Sequence, residues 1–550
     1  MTRLVPSVAG RALGAATSAT TAARVLGASG VVRPLPPTTL ARMGKALKSW
    51  GTGAAGGFTA MALRDPGRVA LIDERGPLTF GEIHERSNAL ARALAERGVR
   101  EGDGVALMCR NHRGFVDSLV AISKLGADVL LLNTAFAGPQ LADVLEREGP
   151  RVVIHDQEFT GLLSGADIET RILGWVDDDT GPDGEQHLED LLTSYDGADL
   201  PPVERHGRIV ILTSGTTGTP KGAPRSEAGL GAAVSLLSRM PLRYGWRTHI
   251  AAPLFHTWGF AHLALSMLLG STVVLRRRFE PEACLAAVRD EGCESLVVIP
   301  VMLQRILNLP QDTLDSYSLP TLEVTAASGS TLPGDLATTW MDTFGDNLYN
   351  IYGSTEVAYA SIATPADLRA APTSAGKPPW ATVVKILDPL GREVPQGETG
   401  RIFVGNGMLF EGYTGGPDSE PESKEVIDGL MASGDVGRFD DQGRLYVEGR
   451  DDDMIVSGGE NVFPQEVEDC LSRHERVVDV AAVGVDDDAF GKRLRAFVVV
   501  SEPRPTEDEL KDWVRTHLAR YKVPREIVFL DELPRNATGK ILKRELAEHD

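Results

Sequence analysis

Between Thr79 and Tyr352, short apolar runs alternate with stretches whose apolar residues recur at helical spacing. The runs include Gly104–Met108, Val152–His155, Arg208–Thr213, Ser295–Ile299 and Asn347–Tyr352. Helical patterns fall at Thr79–Arg97 and Gly114–Leu125. Strands alternating with helical segments indicate layered α/β sheets. After Gly376 the texture changes. Asp388-Pro-Leu-Gly391 and Asp440-Asp-Gln-Gly443 are turn signals between β-rich runs, and they predict a β-rich lobe. The last hundred residues hold a predicted helix at Pro464–Arg473, strands at Val480–Val485 and Ala496–Ser501, and a capping box at Thr506 and Glu509.

A chain of 550 residues is too long for one core. The expected organisation is a basic, flexible leader over residues 1–56, a large α/β domain over 57–450, and a small mobile α+β domain over 451–550. From Met1 to Arg64 there are basic residues and no acidic ones, with a stretch rich in Ala, Thr, Ser and Gly. This composition fits either a transit peptide or a loosely packed basic leader on a cytoplasmic enzyme. Every chemical motif lies after it, so the leader is expected to be dispensable for chemistry. A peripheral membrane contact through it is one expected use. Elsewhere acidic residues prevail, 77 against 56 basic, for a net charge of −21. That argues against non-specific nucleic-acid binding. Four scattered cysteines exclude a disulfide scaffold or zinc ribbon and suit a cytoplasmic setting. The most apolar stretch, Ala261–Leu275, is too short for a membrane span and reads as a buried helix running into a strand.

The strongest chemical signal is Leu212-Thr-Ser-Gly-Thr-Thr-Gly-Thr-Pro-Lys-Gly222, directly after an apolar strand. Three glycines let backbone approach a polyphosphate, amides and hydroxyls donate to it, and Lys221 adds a point charge. It lacks the Gly-Lys-Ser/Thr ending of a Walker A loop. Two more strand ends carry polar loops: Ser328-Gly-Ser330, which also reads as a plain turn, and Tyr352-Gly-Ser-Thr-Glu356. Ser433-Gly-Asp-Val-Gly437, Gly449-Arg-Asp-Asp452, Ser457-Gly-Gly-Glu-Asn-Val462 and Pro534-Arg-Asn-Ala-Thr-Gly-Lys540 follow in order. His256, in Pro253-Leu-Phe-His-Thr-Trp-Gly-Phe260, fits either a pocket wall or a packed core histidine.

In this order the motifs resemble the adenylate-forming superfamily of acyl-CoA synthetases, adenylation domains and beetle luciferase, from about Gly57 to the C-terminus. The resemblance implies an ATP/AMP site built from Thr213, Ser214, Gly215, Thr216, Thr217, Gly218, Lys221, Ser328, Gly329, Tyr352, Gly353, Thr355, Asp435 and Arg450. Tyr352 would stack on adenine, Thr355 would contact phosphate, and Asp435 would accept both ribose hydroxyls. Glu356 and Thr213 would hold Mg2+. Lys540 would be the adenylation lysine, with Glu356, Thr213 and His256 completing the catalytic group. Asp452 would be the hinge of the small domain. Ser457, Gly458 and Gly459 would line the coenzyme A tunnel, and His256, Trp258 and Gly329 the acyl pocket. The implied activity is an ATP-dependent acid–thiol ligase, most similar to bacterial fatty acyl-CoA synthetases. It would convert a medium- or long-chain acid, ATP and CoA to acyl-CoA, AMP and pyrophosphate. The alternatives are an adenylating enzyme loading a separate carrier protein, a luciferase-like oxidoreductase, and a non-catalytic nucleotide or acyl-binding protein. Arg401, where many members have glutamate, and Gly405-Asn406, replacing a common Arg-Gly pair, depart from the pattern.

Overall fold

The computed structural model describes residues 19–548 apart from 137, 169, 178–184, 214–220, 226–229, 355, 410–423, 452–454, 458–459, 463, 488–490, 519–521 and 537–540. For 213, 221–225, 455–457, 460–461, 486–487 and 491–492 the backbone alone is described.

Two mixed sheets form the large unit, as the alternation predicts. One runs, edge to edge, through Ser361–Ala363, Leu348–Tyr352, Val324–Ala327, Ser295–Val298, Arg247–Ile250, Thr272–Val274, Val69–Asp73 and Gly76–Thr79. Its six inner strands are mutually parallel and only the edge pairs are antiparallel. The other has seven strands, with Gly104–Met108 and Asp128–Leu131 near its centre. Strand interiors such as Val105–Met108 and Leu296–Val298 are fully buried, which is why they read as unbroken apolar runs. Helix Phe80–Glu96 begins in a capping box, with the Thr79 hydroxyl and the Glu82 carboxylate satisfying each other's backbone amides. It contributes Leu90 and Leu94 to a core shared with Phe115 and Leu119 of helix Arg113–Lys124.

The β-rich lobe is a five-stranded antiparallel sheet, and both predicted turns are present, with Gly391 and Gly443 at φ of 75° and 71°. The C-terminal unit has its own apolar core around Val467, Leu471, Ala496, Val498, Leu510 and Ile527, on a largely antiparallel sheet. The Thr506–Glu509 capping box is formed. Gln304 donates to the Val478 carbonyl at 3.0 Å, joining the small unit to the large one. All four cysteines are free and buried, and no helix among the described residues is long and apolar enough to cross a membrane.

The leader differs from expectation over its described part. Residues 19–28 are helical, and a second helix spans Pro37–Trp50. Val25 and Val31 pack on the core, and the Tyr244 amide donates to the Ser29 carbonyl at 2.7 Å. Arg33 and Arg64 each stack on the Tyr244 ring at 4.3 Å. The helix Pro37–Trp50 lies on helix Ala54–Arg64 through a tight Gly51–Gly56 approach, where a Cβ on Gly56 would sit 1.9 Å from the Gly51 carbonyl oxygen. The composition is that of a loose segment, but inward residues Met43, Ala46, Leu47 and Trp50 recur at helical spacing and find a surface to cover.

Three buried histidines make stability acid-sensitive. Burial lowers His249 to about 4, His256 to about 4 and His262 to about 3. Each is neutral when folded and titrates near 6.5 when unfolded, so the unfolded state binds more protons below that pH. Stability should be complete above about pH 6.5 and fall as pH drops toward 4. Melting curves from pH 7 to 4.5 should show this, and His262→Leu should shallow the slope by about one proton. A flat profile would contradict the assignment.

Candidate active site

The carboxyl ends of the parallel strands define the site, as expected for ligand crevices of open α/β sheets. Strand Leu348–Tyr352 delivers Tyr352, strand Val324–Ala327 delivers Ser328 and Gly329, and the loop after Arg247–Ile250 delivers His256. The Ser328 hydroxyl donates to the Ile351 carbonyl at 2.8 Å and ties two of these ends together. Gly329 has φ of +102°, a conformation side chains rarely adopt, so glycine is required at this turn. A Cβ on Gly353 would lie 2.1 Å from the Ala358 carbonyl oxygen, so no side chain fits there either.

The β-rich lobe closes over this edge. The Tyr352 hydroxyl donates to Asp435 at 2.5 Å and lies 3.2 Å from the Ser433 hydroxyl. Burial, and then the adjacent Asp435 carboxylate, push the Tyr352 phenol well above its usual range, so it stays a donor. Arg450 lies 3.5 Å from the other Asp435 oxygen. Gly434, at φ of +84°, sits against the Arg450 guanidinium, where an added Cβ would be 3.3 Å from it. A carboxylate is able to accept from both hydroxyls of a diol.

Glu356 is mostly buried, with Lys424 3.8 Å from its carboxylate. Sequence reasoning missed Lys424, which sits in no motif. It also missed Asn406, whose side-chain amide donates to the Val357 and Tyr359 carbonyls, both at 2.8 Å, and so shapes the turn after Glu356. The signal was present, since Gly405-Asn406 stood out as a departure. Arg401, the other departure, pairs with Asp451 at 2.9 Å and Glu425 at 2.7 Å.

Two paired strands flank the Gly/Thr loop in the sequence. Strand Ile209–Thr213 pairs antiparallel with Lys221–Arg225, and Thr213 lies opposite Lys221. Ser214, Gly215, Thr216, Thr217 and Gly218 lie outside the described residues, as do Thr355, Asp452, Gly458, Gly459 and Lys540. Ser457 ends a short strand.

His256 immediately precedes helix Thr257–Leu268. Its Nε2 is buried without a hydrogen-bond partner among the described residues, and burial keeps the ring neutral. Trp258 stacks edge-on to His262 and donates to the Val298 carbonyl at 3.0 Å. One cavity of about 2170 Å³ is lined by His256, Trp258, Gly329, Tyr352, Glu356 and Asp435, and it continues to the face of the C-terminal unit at Gln465 and Val478.

The pattern of AMP-binding enzymes matches residues 58–414, and that of their C-terminal domain matches 466–540. The chain belongs to the AMP-binding enzyme family. Within this family it is 36% identical over 479 residues to a feruloyl-CoA synthase of Amycolatopsis sp., covering 85% of this chain and 93% of that one. A fatty acid–[acyl-carrier-protein] ligase, ScoC, of Streptomyces coeruleorubidus is 29% identical over 88% of this chain and 94% of its own. Among solved structures, the anthranilate CoA ligase AuaEII in complex with anthranoyl-AMP superposes with a TM-score of 0.79 at 27% identity, covering 90% and 96% of the two chains. This AMP-binding enzyme is an ATP-dependent acid–thiol ligase of the AMP-forming class.

Proposed function

We propose that this ligase joins an apolar monocarboxylic acid to coenzyme A in two steps. The carboxylate attacks the α-phosphorus of ATP and expels pyrophosphate, and the CoA thiol then attacks the acyl carbon and expels AMP as its proton is lost. The observation that carries this reading is the continuity of one cavity from the Tyr352–Asp435–Arg450 cluster to the neutral wall at His256 and Trp258. Asp435 would take the ribose and Tyr352 would face adenine. The open Nε2 of His256 would hold the acid's carboxylate without a competing charge.

The donor set fits Mg2+. Glu356 offers a hard carboxylate at the end of a phosphate-site strand, and Mg2+ is usually held by one or two carboxylates together with substrate phosphates. Glu356 and Thr213 would hold it, and the ion would offset charge on the departing pyrophosphate.

The acid class has two supported readings. The feruloyl-CoA and anthranilate relatives favour an aryl acid. The fatty-acid relative and the apolar lining favour a medium- or long-chain acid, and ScoC makes a carrier protein a rival acceptor. Thioester formation across benzoate- and cinnamate-type acids and saturated acids of rising length, with CoA or a carrier protein as acceptor, decides between them. We expect CoA thioesters from apolar monocarboxylates, with dicarboxylates at least tenfold poorer because a second charge would be desolvated. Turnover with the carrier protein alone would overturn the CoA reading.

The outward residues Arg42, Lys45 and Lys48 of the leader helix support a contact with anionic lipid. Co-sedimentation with anionic vesicles should fall as salt rises, at roughly 1 kcal/mol per basic residue near the surface. Equal retention on neutral vesicles would remove this contact.

A further inference from the structure

The cavity has a limb that neither the nucleotide nor the thiol needs. Along helix Thr257–Leu268 the half-buried residues Thr257, Phe260, Ala261, Ala264 and Leu268 form one stripe at spacings of three and four, while His262, Leu263, Ser266 and Met267 are buried. The stripe lines the cavity, as do Leu263, Leu265 and Met267 of the same helix. Also lining the same cavity are Met43, Leu47 and Trp50 of the leader helix and Phe58 of helix Ala54–Arg64. Met43, Leu47 and Trp50 also recur at spacings of four and three, with Arg42, Lys45 and Lys48 turned outward. Val31, Arg33 and Arg64 also reach the cavity.

The lining residues of this helix run from Thr257 to Leu268, about 16 Å at 1.5 Å per residue. An extended hydrocarbon built of 1.5 Å bonds advances about 1.3 Å per carbon, so the limb accommodates roughly a dozen carbons beyond the carboxyl. A single aromatic ring leaves most of it unfilled. The leader helix precedes residue 58, where the family match starts.

We propose that the leader helix Pro37–Trp50 is the outer wall of the acyl pocket, and that Met43, Leu47 and Trp50 set the length of an extended alkyl or aryl-alkyl chain loaded along helix Thr257–Leu268. This rests on the reading that the acid's carboxylate sits beside His256. It also replaces the expectation that the leader is dispensable, because an enzyme without it would have an open-sided pocket.

The test uses the full chain with ATP, CoA and saturated acids of eight to sixteen carbons. Across lengths that fit, each added methylene should raise kcat/KM about fourfold. Met43→Trp and Leu47→Trp fill the limb and should lower the ratio of kcat/KM for the sixteen-carbon acid to that for the eight-carbon acid tenfold or more. Trp50→Ala opens the limb and should move the preferred length upward. Thr38→Ala, at an exposed position of the same helix, should leave the ratio as in the parent. Identical length profiles in all variants overturn the proposal. So does a uniform loss at every length with a lowered melting temperature, which makes the helix a support only. If the parent enzyme forms no thioester from any acid, the ligase reading for apolar acids fails instead. The wall is then judged by displacement of a fluorescent long-chain acid. Weaker binding in Met43→Trp and Leu47→Trp sustains it, and unchanged binding overturns it.

Discussion

Replacing Asp435 with alanine should raise the ATP concentration needed for half-maximal pyrophosphate exchange by about ten- to a hundredfold, while the dependence on the acid changes little. The carboxylate accepts from Tyr352 at 2.5 Å and pairs with Arg450 at 3.5 Å. Alanine leaves the Tyr352 hydroxyl with Ser433 as its remaining recorded acceptor and removes the carboxylate facing Arg450. A buried polar group left unpaired costs about 1–3 kcal/mol, and the incoming ribose would lose its acceptor as well. Asp435→Asn keeps an acceptor oxygen for Tyr352 but loses the ionic contact, so its effect should be smaller than that of alanine. Exchange kinetics with ATP and acid varied separately provide the measurement. An ATP dependence equal to that of the parent enzyme would take Asp435 out of the nucleotide site.

Lys540→Ala should lower pyrophosphate exchange by about a hundred- to a thousandfold, the usual scale for removing one group aimed at developing transition-state charge. The same variant should still convert supplied acyl-AMP and CoA into thioester, because no new charge develops on the phosphate before AMP leaves. Gly458→Leu should do the reverse, preserving exchange while a side chain blocks the passage for the thiol arm. The expectation follows from the Thr-Gly-Lys540 and Ser457-Gly-Gly motifs and from a small unit that carries its own core and meets the large one through contacts such as Gln304 to Val478. Both half-reactions are measured on the same preparations, with melting temperature as the folding control. Equal loss of both half-reactions in both folded variants would mean a single fixed site, with Lys540 and Gly458 acting together.

Local chemistry made much of the chain legible. The Thr79–Glu82 and Thr506–Glu509 caps and the Asp388 and Asp440 turns were readable because each is set within a few residues. Buried strands were readable because a strand covered on both faces is apolar throughout, as at Gly104–Met108. Family membership followed from the order of motifs, which survives in the one-dimensional text. The leader was harder. Its alanines, threonines and glycines suggest a loose segment, and its inward residues Met43, Leu47 and Trp50 are too few to signal a packed helix by themselves. Their role depends on helix Thr257–Leu268, far along the chain.

By itself, then, the sequence determined the layered α/β architecture, the family and the nucleotide motifs, because periodicity, caps, turns and motif order are properties of neighbouring residues. Tertiary structure alone decided that the Tyr352 hydroxyl is held by a carboxylate 83 positions away, that Arg401 reaches Asp451, and that His256 is neutral. It also decided that a leader helix lines an apolar limb of the cavity. These are matters of desolvation and of contacts between distant segments, and both exist only once the chain has closed around them.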